Sequence, residues 1–124
     1  MTDRKLIEEY LLAQDGAWLD FPFGPEAEVY KVKLNKRGGP SASSGLFSSE
    51  DKMFAIIQAG KEPVRLSLKC DPVLAEHLRE KYESVMPGYH LNKKHWNTIV
   101  CSGQLTDDEL KDLIDLSYRL VVES

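Results

Sequence analysis

The stretch PGYHLNKKHWNTIV, Pro87 to Val100, is the densest concentration of chemically capable side chains in the sequence. It carries two histidines, two lysines, two asparagines, a tyrosine and a tryptophan. Three chemistries use such residues. A metal site would draw on His90 and His95, with Cys101 six positions further on. That spacing departs from the common zinc signatures, and neither CxxC nor HExxH is present to bring two ligands together on one turn or helix face. A Cys–His nucleophile would need Cys70 or Cys101 exposed beside a base and an oxyanion donor. Both fall on the apolar side or at the end of predicted strands, where cysteine packs as a small hydrophobe. Nucleic-acid contact is the third: Lys93 and Lys94 for phosphates, Asn92 and Asn97 for base edges or backbone, and Tyr89 and Trp96 for stacking. Against it, a Lys-Lys turn is ordinarily just solvated, and a tryptophan opening a strand ordinarily packs in a core.

Other candidates are weaker. His77 sits on a helix beside an apolar stripe and reads as a surface histidine. Asp107, Asp108 and Glu109 suit a helix N-terminus, where the macrodipole favours carboxylates, better than acid–base catalysis. GxxxxGK[ST], GxGxxG and GxSxG are all absent, so no phosphate loop, dinucleotide fingerprint or nucleophile elbow is expected. No cofactor and no metal follow from these residues, and catalysis ranks last among the readings.

The 124 residues suit one domain, with 42% hydrophobic and 29% charged residues as in ordinary soluble proteins. No apolar run approaches the ~20 residues of a membrane span, and MTDRKLIEEY lacks the apolar core of a signal peptide. A cytoplasmic monomer with two reduced, buried cysteines is expected. The net charge is −4, unlike that of an indiscriminate polyanion binder. Its distribution says more. Residues 1–28 hold seven acidic and two basic side chains, residues 29–69 eight basic and three acidic, and residues 106–124 six acidic and two basic. The positive charge is gathered in the middle of the chain, compatible with an anionic partner.

The elements that would position these residues follow from periodicity. A first helix is expected from an N-cap at Thr2 to about Ala13, with Leu6, Ile7, Tyr10 and Leu11 on its apolar face. DGAWLDFPFGPE then reads as a loop whose Trp18, Phe21 and Phe23 pack on the domain. EVYKVKL alternates, with Tyr30, Val32 and Leu34 inward and Lys31 and Lys33 outward beside Val29. KMFAIIQAG is apolar on both faces and reads as a central strand. EPVRLSLKC alternates again, with Val64, Leu66, Leu68 and Cys70 inward. Between the first two strands a flexible Gly/Ser/Pro-rich loop is expected over about 35–51. Asp71 and Pro72 open a second helix with Leu74, Leu78 and Tyr82 as its stripe, running through Val85. HWNTIVC reads as a last strand. Thr106 and Glu109, in capping-box spacing, start a C-terminal helix whose Leu110, Leu113, Ile114, Ser117, Leu120 and Val121 keep the 3.6 period. The whole predicts an α+β fold: an antiparallel sheet with helices packed on one face, and Lys31, Lys33, Arg65 and Lys69 on the open face or its edge.

FPFGPEAEVYKV, KMFAII, PVRLSLKCDPVLAEHLREKY, PGYHLNKKHWNTI and ELKDLIDLSYRLVV together resemble the MmcQ/YjbR family of small bacterial proteins, in order and over nearly the whole chain. LKCDP and PGYHLNKKHWNT are the most specific pieces. The resemblance implies a compact double-wing domain, similar to a phage transcription factor's DNA-binding domain, and members are commonly called DNA-binding. Carried onto this chain, the family's hallmark residues are Lys69, Cys70, Asp71, Pro72, Pro87, Gly88, Tyr89, His90, Asn92, Lys93, His95, Trp96 and Asn97. The turn from VYKV to KMFA is longer here than the resemblance implies, with Lys36 and Arg37 at its base. The reading is therefore weak DNA binding by one domain spanning 1–124, through Lys31, Lys33, Lys36, Arg37, Lys93 and Lys94, with His95 and Asn97 as polar readers. Trp96 is expected to anchor the core while Lys93, Lys94 and His95 stay accessible. The alternative is a non-catalytic protein-interaction or small-ligand module using a cleft beside PGYHLNKKHW.

Overall fold

The computed structural model describes residues 1–33, 51–88 and 91–123. Helix α1 spans Arg4–Leu12 and is capped by Asp3, whose carboxylate accepts from the Lys5 and Leu6 amides at 2.8 and 3.4 Å. The cap thus lies one residue beyond Thr2. Ile7 and Leu11 are buried while Leu6 is 51% exposed, so the apolar stripe is narrower than its sequence pattern. Gly16, at φ +77°, turns the chain out of α1, a conformation only glycine adopts without strain.

Strand β1, Ala17–Asp20, follows at once and pairs antiparallel with β2, Ala27–Val32. Its four residues are too few to show alternation between Gly16 and Pro22, so the loop expected here is a strand. Phe21 and Phe23, expected to pack, are 49% and 66% exposed. Strand β3, Lys52–Gln58, is the apolar strand, and β4, Arg65–Lys69, carries Leu66 and Leu68 inward as its alternation requires. Helix α2, Pro72–Lys81, begins at Asp71, whose side chain accepts from Val73 and Leu74 at 3.1 and 3.3 Å. It ends where Tyr82 turns extended. The expected continuation to Val85 gives way to the three-residue strand β5, Val85–Pro87, which is too short to announce itself. Strand β6, Trp96–Val100, and helix α3, Asp107–Glu123, complete the chain. Thr106 and Glu109 form the reciprocal capping box, each side chain accepting from the other's amide at 3.1 and 2.8 Å.

The six strands make one sheet in the order β1-β2-β3-β4-β6-β5, every neighbouring pair antiparallel. Alternation across the registers divides it into two faces. Tyr30, Ala55, Ile57, Leu66, Leu68, Val85 and Ile99 share one, and Ile7 and Leu11 of α1 with Leu110, Ile114 and Val121 of α3 close the core over it. Each such aliphatic side chain contributes about 1.5–3 kcal/mol on burial. The opposite face carries Trp18, Val29, Lys31, Ile56, Ser67, Lys69, Trp96 and Thr98. Val29, Ile56, Ser67, Trp96 and Thr98 are buried, so this face is not open at its centre. Trp96 anchors that second face rather than the main core. Ser67 and Thr98 satisfy each other there, hydroxyl to hydroxyl, at 2.8 Å.

One side chain seals α3 to the sheet. Ser117 is wholly buried, donates to the Phe54 carbonyl at 2.6 Å and accepts from the Lys69 amide at 2.9 Å. Phe54 and Lys69 stand one position beyond the Ala55↔Leu68 pair. The hydroxyl therefore bridges the backbone where the β3–β4 ladder parts. Among the described residues no helix is long and apolar enough to cross a membrane.

Candidate nucleic-acid interface

The antiparallel registers decide which residues share an end of the sheet. The C-termini of β2, β4 and β5 and the N-termini of β3 and β6 lie together. Lys33 follows β2, Lys52 starts β3, Lys69 ends β4, and Lys93, Lys94 and His95 precede β6. The two hairpin connections, β2 to β3 and β5 to β6, leave from this same end. Asp51 and Asp71 lie there too, with the Asp71 carboxylate engaged as the cap of α2.

Lys33, Lys93 and Lys94 are exposed, and Lys69 and His95 are half-buried. Lys36 and Arg37 lie outside the described residues, as do Tyr89 and His90. Lys31 is not available in the way its strand position suggested. Its ammonium is 2.8 Å from Asp20 and lies over the Trp18 ring, 5.5 Å from the centroid. That lysine hydrogen bond, with the Phe21 amide, holds the Asp20 carboxyl below its ordinary value. Asn97 corrects the expectation of a polar reader. It is 2% exposed, accepts from Arg79 Nε at 2.7 Å and donates to the Ala75 carbonyl at 3.3 Å. Strand alternation points it beneath α2, on the covered face beside Ile99.

Arg79 was silent in the sequence, one of two basic residues in the last turn of α2. Besides Asn97, its Nη2 donates to the Lys93 carbonyl and, at 3.3 Å, to the Trp96 carbonyl. Three acceptors around one planar guanidinium fix the turn that carries the lysines. Asn92 closes that turn from within, its side chain accepting from the Lys94 amide at 2.9 Å and its carbonyl from His95 and Trp96 at 3.1 and 3.0 Å. Cys70 ties the same turn to β4, its amide donating to the His95 carbonyl at 2.7 Å. Gly88 completes the packing: a Cβ there would stand 2.8 Å from Trp96 Cβ. Arg79, Asn92, Cys70, Gly88 and Asn97 position the lysine turn, and Lys93 and Lys94 are exposed on it.

The enzymatic candidates are separated by the same registers. His95 and Cys101 flank opposite ends of β6, roughly 20 Å apart along an extended strand. Cys70 and Cys101 are both free and buried, and burial pushes each thiol up to about 11, far from a reactive thiolate at neutral pH. His77 is exposed on α2. Among the described residues no group of three or more His, Cys, Asp or Glu side chains could hold a metal ion.

This architecture defines an α+β domain: one antiparallel sheet, helices on one face, and two hairpin connections at one end. It is shared with the crystal structure of Deinococcus radiodurans protein DR2400, a DUF419 domain, at a TM-score of 0.84 and 33% identity over 100% of this chain and 81% of that one. A crystal structure of a Pseudomonas syringae protein shows the same fold at a TM-score of 0.70 and 24% identity, covering 95% of this chain and 97% of that one.

The YjbR family model matches residues 12–120, and the chain belongs to the YjbR family. It is similar to the uncharacterized protein YjbR of Escherichia coli K12, with 41% identity over 73 residues. That match covers 59% of this chain and 62% of the relative, so less than two-thirds of the relative's length is spanned. It is also 33% identical to the uncharacterized protein YbdF of Escherichia coli O157:H7 over 105 residues, 85% of this chain and 72% of that protein. The family and the fold class expected from LKCDP, PGYHLNKKHWNT and the strand pattern are therefore those found.

Proposed function

We propose that this chain is a cytoplasmic, monomeric DNA-binding domain that holds the phosphate backbone weakly at the basic end of its sheet. Lys33, Lys93 and Lys94 are the principal contacts, Lys69 and His95 flank them, and Lys36 and Arg37 belong to the connection that starts at Lys33. The single observation that carries this reading is the strand register, which brings lysines from three separate stretches to one end. Lys31 and Asn97 are not contacts, because one is paired with a carboxylate and the other is buried.

Few cations and a net charge of −4 set the strength. Each neutralised phosphate releases condensed counterion, so affinity falls with salt at a slope of about −0.9 per contact, and a handful of lysines gives weak binding. These contacts position a duplex without reading its sequence. Fluorescence anisotropy with labelled duplex and single-stranded DNA at low salt tests the reading. Binding is expected for the wild-type chain and for Lys31→Ala, and is expected to be weakened in Lys93→Ala/Lys94→Ala at unchanged melting temperature. Absence of binding by the wild-type chain at low salt rejects it.

A further inference from the structure

A second feature runs from the far end of β2 and β3 to Leu91, just ahead of the lysine turn. Phe23, Ala27, Ile56, Gln58 and Leu91 line a cleft of about 610 Å³ together with Glu26, Ala59 and Lys61, within the range of ~300–1,000 Å³ usual for small-molecule sites. Ala27 and Gln58 pair at the far end of β2 and β3, the end opposite Lys33 and Lys52. Ile56, the two alanines and Leu91 make much of the lining apolar, and Phe23, the most exposed aromatic among the large exposed hydrophobics at 66%, joins them.

Two charged side chains, Glu26 and Lys61, share the lining. The Glu26 carbonyl accepts from the Ala59 amide at 3.0 Å, which sets residue 26 beside the turn that carries Lys61. Both side chains are exposed and line the cleft, and among the described residues no ion pair closes between them. An α-amino acid carries its ammonium and carboxylate on one carbon. A carboxylate and an ammonium that line one cleft without pairing are complementary to that head group, while the apolar and aromatic lining suits a hydrophobic side chain. We infer that this cleft binds an apolar α-amino acid, its ammonium on Glu26, its carboxylate on Lys61 and its side chain against Ile56, Phe23 and Leu91. The inference is independent of DNA binding, since no residue is common to the two sites.

The test is a titration of the ¹⁵N-labelled chain with L-phenylalanine, followed through the amides of Ala27, Gln58, Ala59 and Lys61. Saturable shifts at these positions are expected. N-acetyl-L-phenylalanine and L-phenylalaninamide, each lacking one charge, are expected to bind at least about tenfold more weakly, the scale of one charge-assisted contact. Lys61→Glu is expected to lose the response, and the exchange Glu26→Lys/Lys61→Glu to recover it in part. Both positions are on the surface, so unchanged melting temperatures confirm folding, and Lys93→Ala/Lys94→Ala should titrate like the wild type. No saturable shift up to ~10 mM, the regime of non-specific contact, overturns the proposal. So does equal affinity for the acetylated or amidated compound, which would leave apolar contact alone.

Discussion

Arg79 on α2 donates to Asn97 on β6 at 2.7 Å, and the same guanidinium reaches the carbonyls of Lys93 and Trp96. One side chain thus couples a helix, a strand and the lysine turn. Arg79→Ala takes the Arg79 donor from the buried Asn97 side chain and leaves the Trp96 carbonyl with the Gly88 amide, so stability falls by about 1–3 kcal/mol, as urea denaturation reads. Arg79→Lys does not restore it, because an ammonium cannot serve three acceptors in a planar fork. DNA affinity falls in both variants although Lys93 and Lys94 remain. Full affinity in Arg79→Ala would show that the turn needs no such support.

Gly88 is fixed by proximity rather than by dihedral angle. An added methyl would meet Trp96 Cβ at 2.8 Å and the Trp96 carbonyl oxygen at 3.1 Å, neither of which is the end of a flexible side chain. Gly88→Ala is expected to cost about 1–3 kcal/mol through overpacking. A chemical denaturation midpoint equal to the wild type would contradict the close approach of these strands.

The Ser117 hydroxyl stands between the Phe54 carbonyl and the Lys69 amide, 2.6 and 2.9 Å away. Ser117→Ala strips both of their partner in a buried place and should cost about 1–3 kcal/mol. Hydrogen exchange localises the effect: the Lys69 amide should exchange faster in the variant, and an unchanged rate would argue against the bridge.

The Asp20–Lys31 pair makes a prediction about pH. The lysine first, then the Phe21 amide, lowers the Asp20 pKa. A carboxylate lowered in the folded state adds stability above its unfolded pKa, near 4, and loses that stability as pH falls through the lower folded value. NMR titration should place Asp20 below an ordinary aspartate, and Lys31→Ala should bring it back up. The pair lies near the surface and is only half-buried, so the melting temperature at neutral pH should hardly move.

Long periodic or strongly capped elements were legible from sequence. The core residues of β3 and β4, the Asp71 start of α2 and the capping box of α3 all follow from local patterns. The short strands β1 and β5 did not announce themselves, because three or four residues cannot establish a period of two and their pairing comes from distant partners. Asn97 shows the same limit at the site. Its neighbours Lys93 and Lys94 are polar and exposed, but strand alternation and a helix from elsewhere decide that it faces inward. Arg79 carries no local signal, since its role arises only when separate segments meet.

The central claim is that lysines from three stretches act on one polyanion, and the salt dependence of DNA affinity tests it most directly. For the wild-type chain the plot of log affinity against log salt should fall with a slope of roughly −2 to −4. Removing Lys33, Lys93 and Lys94 together should flatten it by about one unit per lysine. A wild-type slope near zero, or a slope that the triple substitution leaves unchanged, would contradict the account.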